Sequence, residues 1–85
     1  MRQLVRVRQY VMSLHADEEM DADGLTIFDV ESVILTGEII ERQKDRGTAE
    51  WKYLVRGQTI SGDVAIVVAK LSPTGKLVFI TVYRE

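Results

Sequence analysis

In Ile27-Phe28-Asp29-Val30-Glu31-Ser32-Val33-Ile34-Leu35-Thr36-Gly37-Glu38-Ile39-Ile40-Glu41 the spacing of the apolar residues changes once, at Gly37. Before it, Ile27, Val30, Val33 and Ile34 recur at the three-and-four spacing of a single helical face. Thr26 stands where a helix cap is needed, and Gly37 reads as the residue just past the helix end, which together predict a helix over 27–36. After Gly37 the period falls to two, and a strand is expected over 38–44.

Working outward, three further stretches are rich in β-branched and aromatic residues, at 51–56, 63–71 and 76–84. The breaks between them carry Gly47, Gly57, Gly62 and Gly75, and Ser72-Pro73-Thr74-Gly75 has the Pro and Gly of a tight hairpin turn. An antiparallel meander follows. Its third strand, Val64-Ala65-Ile66-Val67-Val68-Ala69, is apolar on both faces and is expected to be central. On the amino-terminal side, Ser13 caps a helix over 14–22 whose first turns are acidic, as the helix dipole favours, and Gly24 ends it. For residues 1–12 the pattern suits a short helix ending near Arg8 and extended chain at 10–12. The expected architecture is α+β: two or three amino-terminal helices packed on one face of a four-stranded antiparallel sheet, in a single domain over 1–85.

The 85 residues are 46% hydrophobic and 28% charged, which excludes disorder and a coiled-coil rod. With no cysteine there is no disulfide framework, thiol nucleophile or thiolate zinc site, and a reducing, cytoplasmic setting is expected. No apolar run is long enough to span a bilayer, so no membrane role is expected. The formal net charge of −2 hides three blocks. Residues 1–12 hold three arginines and no acid, residues 13–41 hold nine acids and no Lys or Arg, and residues 42–85 hold eight basic residues against four acids. As separate faces these blocks orient a charged partner; as ordinary surface they keep the chain in solution.

His15 is the only histidine, so a usual zinc site is excluded and no metal or cofactor is expected. An imidazole exchanges protons near neutral pH, and Glu19 one turn later can orient it; the competing reading is a helical histidine that hydrogen-bonds backbone. RNA cleavage by 2′-hydroxyl attack needs a base, an acid and cations over the phosphorane charge. Lys52, Arg56, Tyr83 and Arg84 lie on expected strands, where alternation puts Lys52 with Arg56 and Thr81 with Tyr83. Basic residues on strands also protect sheet edges. Trp51, Tyr53, Phe79 and Tyr83 can stack bases or pack a core, and Trp51 and Phe79 are assigned to the core. The acids at 17–23 lack the spacing of a calcium loop, and no phosphate loop, nucleophile elbow or dinucleotide fingerprint occurs.

His15-Ala16-x-x-Glu19-Met20, Gly24-Leu25-Thr26-x-x-Asp29-Val30, Gly37-Glu38-Ile39-Ile40-Glu41, Tyr53-Leu54-Val55-x-Gly57, Val67-Val68-Ala69 and Thr81-Val82-Tyr83 occur in a familiar order. Over residues 10–84 they resemble a bacterial family catalogued as domain of unknown function 4258. That family looks related to the RelE-like and barnase-like small ribonuclease fold, and its genes resemble toxin partners of toxin-antitoxin pairs. The resemblance implies a site at His15, Glu19 (where many relatives have Arg), Thr81, Tyr83 and Arg84. Many relatives carry a second histidine at the position of Ile66 here, so a two-histidine mechanism is not implied. Two functions are expected. The first is a toxin-like RNA endonuclease, with His15, Glu19, Tyr83 and Arg84 catalytic, Lys52, Arg56 and Thr81 on nucleic acid, and RNA and an antitoxin protein as partners. The alternative is a non-catalytic protein-interaction module whose acidic helices dock a basic partner or whose sheet edge pairs with another chain.

Overall fold

A computed structural model describes residues 1–6, 9–44, 46–47, 50–72 and 75–85. Among these residues three helices, α1 (Arg2–Arg6), α2 (Leu14–Asp23) and α3 (Ile27–Thr36), back a five-stranded sheet of β1 (Tyr10–Met12), β2 (Glu38–Lys44), β3 (Trp51–Gln58), β4 (Val64–Leu71) and β5 (Leu77–Arg84). The accessible surface is 5219 Å², close to the roughly 5,000 Å² of a compact chain of this mass.

Local signals set the helices. The Ser13 hydroxyl accepts the N–H of Ala16 at 3.1 Å and starts α2, and Gly24, at φ 67, ends it in the left-handed region. Thr26 and Asp29 form a reciprocal capping box on α3. Gly37 stands just past α3 as expected, extended at φ −91, and its role is close approach. A Cβ there would stand 2.5 Å from the carbonyl oxygen of Arg56, and one on Gly57 would stand 2.9 Å from the Cα of Gly37. The two glycines let the end of α3 and the start of β2 sit against β3.

The strand order is β1-β5-β4-β3-β2, with β4 central as its two apolar faces require. The four expected strands pair antiparallel, but the sheet has a fifth member: β1 runs parallel to β5, with Tyr10 opposite Leu77 and Met12 opposite Phe79. This corrects the four-stranded, wholly antiparallel expectation. The extended segment at 10–12 adds to the outer edge of β5, whose N–H and C=O groups would otherwise lack partners there. The end of the first helix near Arg8 and the Pro73-Thr74 part of the hairpin turn fall outside the described residues.

The core lies between the helices and one sheet face. Ala16, Met20, Val30, Val33 and Ile34 meet Val55, Ala65, Val67, Ala69, Leu77, Phe79 and Val82. Phe79 is fully buried and packs against Tyr10, with the ring centroids 5.1 Å apart and the planes tilted by 45°. Trp51 is not a core residue. It is 46% exposed, because the β2–β3 hairpin carries it away from the core. No helix among the described residues is long and apolar enough to cross a membrane.

Candidate functional site on the open face

Alternation along β4 turns Ala65, Val67 and Ala69 to the helices and Ile66, Val68 and Lys70 to the opposite face. The registers extend this into rows across the sheet. Arg56, Ile66 and Tyr83 form one row, Leu54, Val68 and Thr81 the next, and Lys52, Lys70 and Val78 the third. Neighbouring strands stand about 4.8 Å apart, so Arg56 and Tyr83 are held about 10 Å apart with Ile66 between them, and Lys52 lies about 13 Å from Arg56 along β3. Lys52, Arg56, Thr81 and Tyr83 therefore do share a face. Among the described residues, it is the face turned away from the helices.

Ion pairs border this face. Arg56 Nε lies 2.5 Å from Glu85 Oε2, and Lys70 Nζ lies 3.1 Å from Glu50 Oε2. The Glu85 N–H donates to the carbonyl of Val64 at 3.1 Å, which fixes the residue at the end of the Arg56 row. Sequence reasoning missed Glu85, although alternation from Tyr83 puts it on the same face. A cavity of about 560 Å³ opens beside Arg56, lined also by Arg2, Thr36, Glu38, Gln58 and Val64.

His15 and Glu19 belong to a different arrangement. Pairing of β1 with β5 stops at Phe79, and beyond it α2 supplies the partners of the β5 edge. The Ser13 N–H donates to the carbonyl of Phe79 at 3.0 Å and its hydroxyl to that of Ile80 at 3.1 Å. The N–H of Val82 donates to Glu19 Oε1 at 3.2 Å, and that of Arg84 donates to Asp23 Oδ2 at 3.5 Å. His15 Nε2 lies 3.3 Å from the same Glu19 oxygen, with the imidazole side chain 66% exposed. Glu19 and Asp23 thus border β5, and His15 is tied to that edge through Glu19.

Arg84 turns the other way. It shares the helix side of β5 with Val82, its Nη1 lies 2.7 Å from Asp63 Oδ2, and its Nε donates to the carbonyl of Asp23 at 3.1 Å. The six other expected site residues divide between the open face and the β5 edge, while Arg84 is committed to holding the end of β5 against α2 and the β3–β4 turn. Near that turn, Asp29 has its carboxyl held below the ordinary range. The N–H of Thr26 contributes most, burial opposes, and the N–H of Ile60 adds to the lowering.

A helix-backed sheet whose other face sets polar side chains around an aliphatic centre, with a carboxylate-lined edge, defines a small α+β protein whose chemistry can lie on the sheet itself. The chain belongs to the family described as Domain of unknown function (DUF4258), whose profile matches residues 12–84. No curated protein and no solved structure gives a significant match.

Proposed function

We propose that the chain is a toxin-like RNA endonuclease that works in the cytoplasm, lays RNA across the open face of the sheet, and is held in check by an antitoxin protein. The observation that carries this reading is the Arg56–Ile66–Tyr83 row with Glu85 at its end. In this reading the Glu85 carboxylate takes the 2′-hydroxyl proton and the freed oxygen attacks the adjacent phosphorus. Arg56 stabilises the phosphorane charge, and the Tyr83 hydroxyl protonates the departing 5′ oxygen. The products are a 2′,3′-cyclic phosphate and a 5′-hydroxyl. Thr81 hydrogen-bonds the phosphate from the next row, and Lys52, two rows away, holds a neighbouring one. His15, tied to the β5 edge through Glu19, offers a second proton donor. The Arg56–Glu85 pair does not block this chemistry. Both side chains are nearly half exposed, and such pairs contribute about 0–1 kcal/mol, which a phosphate can outcompete.

The test is incubation of the purified protein with messenger RNA, free and ribosome-bound, beside Tyr83→Phe, Glu85→Gln, Arg56→Ala and His15→Ala. Tyr83→Phe and Glu85→Gln are each expected to slow cleavage about 100-fold or more. Equal cleavage by all variants, or none by the parent, sinks the reading.

A second reading, a non-catalytic protein-interaction module, is favoured by one observation. Glu19 and Arg84 are both engaged in holding α2 on β5, while Asp17, Glu18 and Asp21 face outward from α2. A stoichiometric basic protein partner that is lost on Glu18→Lys, together with no RNA cleavage, supports the module. Growth arrest on expression that Tyr83→Phe relieves supports the nuclease.

A further inference from the structure

The helix side of the sheet carries a second surface beyond the core. Val55 is buried there, and alternation puts Tyr53 and Trp51 on the same side towards the hairpin tip. Directly opposite them on β2 stand Arg42 and Lys44, both exposed, with Lys44 Nζ 5.9 Å from the centroid of the Trp51 ring. Arg46, in the turn, is exposed as well. The acids of these strands lie elsewhere: Glu38 and Glu41 pair in register with Arg56 and Leu54 of the open face, and Glu50 is bonded to Lys70 there. The result is a shelf with two aromatic rings, at least two cations and, among the described residues of β2 and β3, no carboxylate.

We infer that this hairpin shelf binds single-stranded RNA by stacking bases on Trp51 and Tyr53 while Arg42 and Lys44 hold the phosphates. Trp51 and Tyr53 are two residues apart on one strand, and so are Arg42 and Lys44 on its neighbour, which sets each pair at about 7 Å. Two rings at that step with two cations alongside match successive nucleotides of an extended strand, each presenting one base face and one phosphate. An acidic peptide would satisfy the cations, but it would leave the exposed indole without a flat partner. The inference does not rest on the nuclease reading, because the shelf and the open face are opposite sides of the sheet and either can work without the other.

Trp51 is the chain's single tryptophan, so its fluorescence reports directly on the shelf. A 2′-O-methyl oligouridylate of about ten nucleotides cannot be cut by 2′-hydroxyl attack, which separates binding from cleavage. Quenching of the parent protein by this oligomer is expected, with an affinity that falls steeply as salt rises. Arg42→Ala and Lys44→Ala should each weaken binding and reduce the salt slope by about one. Trp51→Ala, followed with a dye-labelled oligomer and checked by circular dichroism, should weaken it about tenfold or more. Gln43→Ala, between the two cations on β2 but turned to the other face, should leave the quenching unchanged. Absence of quenching overturns the inference, as does quenching that survives Arg42→Ala and Lys44→Ala. Quenching by polyglutamate but not by the oligomer overturns it in favour of an acidic protein partner, and quenching that rises only with protein concentration overturns it in favour of a second copy.

Discussion

The Glu19 carboxylate on α2 accepts the backbone N–H of Val82 on β5 at 3.2 Å, so a side chain takes the place that a neighbouring strand would occupy. β1 covers the β5 edge only as far as Phe79, and the first N–H beyond it that α2 reaches is bonded this way. An unsatisfied N–H at a residue 1% exposed is costly. Glu19→Ala is therefore expected to lower the unfolding free energy by about 1–3 kcal/mol, whereas Glu19→Gln, which keeps an acceptor, should lose less. Urea unfolding of both variants measures this; equal losses would mean that the carboxylate contributes only charge.

Gly37 and Gly57 are fixed by space. Any Cβ on either meets backbone, which cannot move aside as a side-chain end can. Gly57→Ala and Gly37→Ala should each cost about 1–3 kcal/mol or more by overpacking. Gly75→Ala should be milder: a Cβ there meets nothing, and only its φ of 83 opposes the change. Thermal melting that ranks Gly75→Ala as the most damaging of the three would contradict this account.

Asp29 joins two elements, since its Oδ2 accepts the N–H of Thr26 at 2.9 Å and its Oδ1 the N–H of Ile60 at 3.1 Å. Its folded pKa is held below the ordinary aspartate value, first by the Thr26 N–H and further by that of Ile60, with burial opposing. The contribution is thus present above the unfolded pKa near 3.9 and is lost as pH falls through the still lower folded value. Asp29→Asn should be less stable than the parent at pH 7, with the gap closing on acidification towards pH 3. A gap that stays constant over that interval rules out the linkage. Thr26→Ala, which removes the other half of the box, should cost about 1 kcal/mol.

Ile66 lies between Arg56 and Tyr83 on the open face, 7% exposed, where the family resemblance implies that many relatives carry histidine. Ile66→His inserts a proton carrier into the middle of the proposed reacting row. It should raise the rate of RNA cleavage at least tenfold and give it a pH optimum near neutrality. A folded variant with unchanged cleavage would move the reacting centre away from this row.

The sequence alone determined the pieces whose causes are local. Capping by Ser13 and Thr26 started α2 and α3 at the observed residues, the switch of period at Gly37 began β2, and the two-sided apolar run at 64–69 made β4 central. Alternation likewise grouped Lys52 with Arg56 and Thr81 with Tyr83, because side-chain direction along one strand needs no knowledge of its neighbours. Only the tertiary structure decided that these two pairs share a face, since that depends on which residues of β3, β4 and β5 come into register. It also paired β1 with β5, turned Arg84 towards Asp63, gave Glu19 the N–H of Val82, and left Trp51 outside the core. Each of these follows from a backbone group or a surface that must find its partner among residues distant in the chain, and no nearby residue records which partner that is.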